Sequence, residues 1–249
     1  MRRKGWNVGL SSTVVRVARV VRQPFVSSPL ARGWQRATPL LVGFGTVSVI
    51  AGLVIIWAAR LTVPYPVYVS ELGAVGRPTA GPFQMALLCI AAGGAAIALA
   101  AGHVRPDVPV LGRWLPAVTL GFAAVCFVAA SQVTCTVTCP VPFVNPQSTP
   151  QDLVHTVFAV LGFAAACYAM LQVAFARQRP RVARFSLLSC VAVAGITVVG
   201  GVLALVHVAV DVGAWLEFAG TTVAIGWLAT YGVTLGVDAV GGSEFNATS

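Results

Sequence analysis

Charge is what this sequence lacks. Of 249 residues only 9% are Asp, Glu, Lys or Arg, and just seven of those are acidic, whereas soluble domains carry about a quarter charged residues. With 57% hydrophobic residues and a mean hydropathy of +0.86, the chain could not hide its apolar surface from water, so lipid is its expected solvent. Other absences narrow the class. No succession of roughly ten-residue alternating segments is found, which excludes a membrane β-barrel. The chain has no phosphate-binding Walker loop, serine-nucleophile elbow or dinucleotide fingerprint, so the familiar nucleotide and acyl-transfer chemistries have no motif to rest on. Neither a CxxCH haem attachment nor a zinc-type CxxC pair occurs.

What is there is long apolar runs. A hydrocarbon core about 30 Å thick takes roughly 20 residues at about 1.5 Å rise, and six runs qualify: 38–59, 82–102, 114–134, 153–175, 185–209 and 214–236. The expected fold is therefore all-α, a polytopic transmembrane bundle of six helices. It comprises a basic tail over 1–36, a membrane domain over 37–237 and a short tail over 238–249.

The basic residues set the expected orientation, because Lys and Arg stay on the cytoplasmic side. Eight lie in the N-terminal tail. Arg105 and Arg113 follow the second run, and Arg177, Arg179, Arg181 and Arg184 the fourth. Only Arg60 and Arg77 of the sixteen fall on the other side. Both termini are thus expected in the cytoplasm and the protein in the plasma membrane. The net charge of +9 is what such a basic rim produces next to anionic lipid, and nucleic acid is not an expected partner. The tail has no apolar h-region, so no cleaved signal peptide is expected. Its VVRVARVVR stretch, Val14 to Arg22, spaces three arginines by three, which suits either a helix lying on the inner leaflet or a solvated basic tail.

The outer connections 60–81 and 135–152 are rich in proline and read as stiff surface loops capping the bundle. Within the runs, Gly94 with Ala98, Gly162 with Ala166 and Gly200 with Ala204 have the small-xxx-small spacing that lets helices approach closely. Cys89, Cys126, Cys167 and Cys190 lie within spans as apolar fillers, whereas Cys135 and Cys139 sit at an outer mouth and are disulfide candidates.

Once oriented, the polar residues gather on one side. Glu71 lies in the first outer loop beside Ser70; Asp152 and His155 open the fourth helix. His207 and Asp211 close the fifth, and Glu217 starts the sixth. The spacings of three and four put each His/Asp pair on one helix face. Ionisable groups at membrane depth cost several kcal/mol unless paired or solvated, so three readings stay open. The groups are hydrated or paired with Arg60 and Arg77; or Ser70, Glu71, Asp152, His155, His207, Asp211 and Glu217 form a binding site for a lipid or small polar ligand; or His155, His207 and Asp211 hold a metal such as zinc with a hydrolytic water. Trp57, Tyr65, Tyr68 and Trp215 suit an interfacial aromatic belt, and Gln84 and Gln132 would extend the polar pocket or bond neighbouring helices.

The run YVSELGAVGRPTAGPF after the first span and QDLVHTVFAVLGFAA opening the fourth resemble a bacterial six-helix membrane family catalogued as domain of unknown function 998. The resemblance extends over roughly residues 38–236. It implies the fold and the membrane location, and marks Glu71 and His155 as signature residues, but implies no activity. A more distant likeness is to the membrane hydrolases that include alkaline ceramidases and adiponectin-type receptors. There an HxxxH pair is usual, whereas His207 and Asp211 make HxxxD here, with six spans in place of seven.

The expected function is that of a membrane protein whose outward-facing polar site binds a lipid or envelope-associated ligand, or of an accessory subunit with membrane-protein partners. A metal-dependent hydrolase of a lipid-like substrate is the alternative. A small-solute transporter is disfavoured because no ionisable group lies near mid-membrane.

Overall fold

A computed structural model describes the backbone of residues 29–176 and 179–247 and the side chains of 37–176 and 179–239. The chain divides into Met1–Arg36 and Ala37–Ser249. The VVRVARVVR stretch lies outside the described residues, and the helical bundle belongs to the second unit.

Among the described residues six helices succeed one another: α1 Pro29–Leu61, α2 Ala80–Ala100, α3 Pro116–Gln132, α4 Pro150–Ala174, α5 Pro180–Leu205 and α6 Val210–Ala247. Among the described residues there is no β-strand, only a bridge between Pro106 and Ala176, so the class is all-α. The starts are written in the sequence: Pro116, Pro150 and Pro180 each stand in the first turn, where the missing N–H costs nothing. α4 adds a capping box, in which Thr149 accepts from the Asp152 N–H while the Asp152 carboxylate accepts from the Thr149 N–H.

Among the described residues five helices are long and apolar enough to cross a membrane; α3, with 17 residues, is a shorter apolar helix. At about 1.5 Å per residue it spans roughly 26 Å. The helix ends differ from the apolar runs mainly at α1 and α6, where the backbone stays helical beyond the run. Hydropathy marks depth in lipid, and a helix continues past that depth until a breaker stops it.

Helices adjacent in sequence from α2 to α6 pack against one another, and α1 crosses α2 through glycines. A Cβ on Gly93 would lie 2.6 Å from the Gly45 carbonyl oxygen, so the two backbones touch where no side chain fits. Two buried clusters result. One, near the 62–79 loop, joins Ile56, Leu72, Phe83 and Phe218; the other, toward the opposite end, joins Ile97, Met170, Val193, Trp227 and Tyr231. Phe44, Val47 and Val54 of α1 and Leu188, Val191 and Val198 of α5 are exposed; in lipid an exposed apolar face carries no hydrophobic cost.

The first loop departs from the expectation of a surface cap. Val67, Val69 and Leu72 are buried and pack into the cluster with Ile56 and Phe83, because their apolar side chains find their burial there. The SELG stretch makes one 3₁₀ turn, Ser70–Gly73, and a Cβ on Gly73 would overlap the Phe83 ring. The turn therefore seats its backbone directly on α2.

Candidate polar site at the mouth of an apolar cleft

A cleft of about 90 Å³ lies among α1, α2, α3, α4 and α6, walled by Ile56, Ile90, Phe127, Phe163 and Trp227. Its lining is apolar except at one end, where Ser70, His155, Glu217 and Thr221 meet. From Glu217 down to Leu228, both on the cleft wall, α6 descends roughly 16 Å at its ordinary rise.

Each polar group is held by a different device. Glu217 accepts the Val69 N–H at 2.7 Å, so the loop's backbone amides face a carboxylate from α6. Thr221, one turn further down α6, is 6% exposed and its hydroxyl has no hydrogen-bond partner. Its helical neighbours behave otherwise: Thr222 donates to the Phe218 carbonyl at 2.7 Å and Thr230 to that of Gly226 at 2.8 Å. Back-bonding of that kind is how a helical threonine normally satisfies itself, and Thr221 does not use it.

His155 is 4% exposed. Its Nδ1 lies 2.7 Å from the Val133 carbonyl and 3.2 Å from that of Ala130. A carbonyl only accepts, so Nδ1 carries a proton and satisfies the end of α3. Asp152, fully buried, does not line the cleft. It accepts from the Thr136 N–H at 2.7 Å and hydroxyl at 2.9 Å, and from the Thr149 N–H and hydroxyl at 2.8 Å. Its place is structural: it ties the 133–149 loop to the head of α4. In that loop Cys135 and Cys139 form a disulfide.

Glu71 stands outside the cleft lining, paired with Arg77 at 3.3 Å, while Arg77 also donates to the Tyr65 hydroxyl. Burial raises the Glu71 carboxyl above the ordinary glutamate range, against the Tyr68 N–H and the Arg77 charge, which lower it. Burial likewise raises the Tyr68 phenol, and the Glu217 and Glu71 carboxylates push it further. Ser70, Glu71, Tyr68 and Glu217 therefore form one electrostatic neighbourhood. The Tyr68 ring lies on α6, where a Cβ on Gly213 would meet the hydroxyl at 2.6 Å. Trp57 donates to Thr222 at 3.1 Å and packs on Trp215, over which Arg60 lies at 4.8 Å.

His207 and Asp211 are not brought in. Both are exposed: His207 lies on the turn between α5 and α6, where His207 and Ala209 adopt positive φ of 53° and 48°, and Asp211 lies in the first turn of α6. Neither residue lines the cleft, and among the described residues His155, His207 and Asp211 are not a set whose donor atoms lie close together. Among the described residues the group whose donor atoms lie within 4.8 Å of one another is Cys135, Cys139 and His155. Gln132 is exposed and bonds Ser131. The glutamine that matters for packing is Gln172, fully buried and donating to the Leu111 and Trp114 carbonyls at 3.0 and 2.7 Å.

Sequence reasoning missed Thr221 and the apolar walls. Thr221 follows Glu217 by four residues and so shares its face, a signal present in the sequence. The walls include small residues that the spacing marks as close-packing points: Gly94 and Ala166 line the cleft, and a Cβ on Gly94 would still have 3.6 Å to Leu228. Here small residues leave space between helices instead of closing it.

Helices of this length around a lipid-facing exterior, with an apolar cleft that ends in polar groups, define a polytopic helical membrane protein. Within that class the chain belongs to the family described as protein of unknown function (DUF998), which matches residues 41–234. No curated protein and no solved structure matches it.

Proposed function

We propose that this protein binds one amphiphilic molecule, its polar head at Ser70, Glu217, His155 and Thr221 and its apolar body in the cleft. The observation that carries the reading is the buried, unpartnered Thr221 hydroxyl, one turn below a carboxylate at the wall of an otherwise apolar cavity. A buried hydroxyl without a partner costs about 1–3 kcal/mol, and a ligand's polar head would offset that cost. Few convergent polar groups over an apolar lining is also the usual composition of a ligand site. The distribution of basic residues favours an outward-facing mouth in a plasma membrane, where the ligand is a lipid or another envelope amphiphile. Glu71, paired with Arg77, borders the mouth and tunes its charge.

The test is retention of ligand. Protein purified in mild detergent is extracted and its bound amphiphiles quantified for wild type, Ala159→Phe, which fills the cleft, and Thr221→Val, which keeps the shape but removes the hydroxyl. Ala159→Phe is expected to lose the ligand and Thr221→Val to retain it roughly tenfold less well, about 1.4 kcal/mol. Equal amounts in all three would refute the reading.

A further inference from the structure

Cys135, Cys139 and His155 occupy the same mouth, yet the amphiphile reading uses only the imidazole. One donor atom from each lies within 4.8 Å of the other two, which is close enough for one small cation between them. In the oxidised protein the sulfurs are joined to each other and offer no thiolate.

We propose that these three residues form a redox-gated site for Zn²⁺, closed as the disulfide and open as the dithiol. Three features support it beyond proximity. First, His155 is held as metal-ligating imidazoles commonly are: its Nδ1–H is committed to the Val133 carbonyl at 2.7 Å, so Nε2 is the ring nitrogen left to ligate a cation. Second, the loop does not depend on the disulfide for its position. Thr136, between the two cysteines, is clamped by its N–H and hydroxyl to the fully buried Asp152 at 2.7 and 2.9 Å, so reduction leaves the sulfurs near the histidine. Third, the short loop holds Thr138 and Cys139 at positive φ of 68° and 46°, a region that non-glycine residues occupy at a cost. The strain sits at the Cys139 end, so opening the S–S bond relaxes that end while the Thr136 clamp keeps Cys135 in place.

The chemistry balances. A protein dithiol delivers two electrons and two protons; the S–S bond breaks, two thiols form, and the donor becomes a disulfide itself. Zn²⁺ then displaces both thiol protons to solvent and binds two thiolates and one imidazole. Three protein ligands leave its fourth position to water or to a group in the cleft. Because each thiol gives up a proton, affinity rises with pH. Cys139, half-buried where Cys135 is fully buried, is the sulfur that an incoming dithiol reaches.

The experiment uses the full chain in detergent, reduced with a phosphine and then freed of it, and Zn²⁺ alone as the probe. Elemental analysis after desalting is expected to give one Zn²⁺ per reduced chain and none above background in the oxidised protein. Cys139→Ser is expected to abolish uptake under reduction, and His155→Gln to weaken it at least tenfold. Should His155→Gln fail to fold, Cys139→Ser carries the test alone, since Asp152 still holds its loop. Equal zinc in the reduced and oxidised states, or reduced uptake that survives Cys139→Ser, would overturn the proposal.

Discussion

Asp152 and Glu71 are both acidic residues of the candidate site by sequence, and their surroundings give them opposite roles. Four hydrogen bonds from Thr136 and Thr149 converge on the Asp152 carboxylate, so it stabilises as the acceptor that unites those two residues. Asp152→Ala strands two half-buried N–H groups and frees the loop, and is expected to cost about 3 kcal/mol, read as a lowered unfolding midpoint in detergent. A drop under about 1 kcal/mol, the net worth of one ordinary hydrogen bond, would mean that the network is dispensable. Glu71 behaves differently, because burial raises its carboxyl despite Arg77. A folded-state value above the unfolded one favours the protonated form in the folded protein. Its contribution is therefore present at low pH and lost as pH rises through the raised value, beginning near the ordinary glutamate range. Thermal unfolding followed over that range should show Glu71→Gln losing this part of the pH dependence; an unchanged profile would place the titration elsewhere.

At the scale of elements, the α1–α2 crossing is set by Gly45 and Gly93. Gly93→Val has to push a side chain into the Gly45 carbonyl and Val49 and is expected to destabilise by about 1–3 kcal/mol. Gly43, whose added Cβ would meet nothing within 4 Å, supplies the control, and Gly43→Ala should leave the unfolding midpoint in place. The two substitutions having equal effects would argue against this crossing. These elements also separate what is legible in the sequence from what is not. Helix number and starts are readable, because twenty-residue apolar runs and N-terminal prolines are local signals. The spacing rule selects Gly94, Gly162 and Gly200 and misses the crossing glycines, since spacing alone does not say which face of a helix meets a neighbour. Asp152 and His155 are placed correctly at the head of α4, but their partners, the Thr136 N–H and the Val133 carbonyl, are backbone groups that no side-chain pattern announces. His207 and Asp211 share a face only if one helix contains both; α5 ends at Leu205, before His207, and α6 starts at Val210, so His207 sits on the positive-φ turn and the shared face never forms.

At the scale of the whole molecule, α1, α2, α4 and α6 with the shorter α3 surround a cavity that is apolar for most of its depth and polar at its mouth. A bundle built only to cross the membrane would close such a space, since void costs packing energy in proportion to its size. An occupant of the cavity is therefore the central claim. The most direct measurement is native mass spectrometry of the chain released from a mild detergent, with wild type compared against Ala159→Phe. Wild type is expected to carry an adduct of one amphiphile mass per chain, displaced when the cleft is filled by the phenylalanine. A bare wild-type chain under conditions gentle enough to keep lipids on other membrane proteins, or an adduct that persists unchanged in Ala159→Phe, would contradict it.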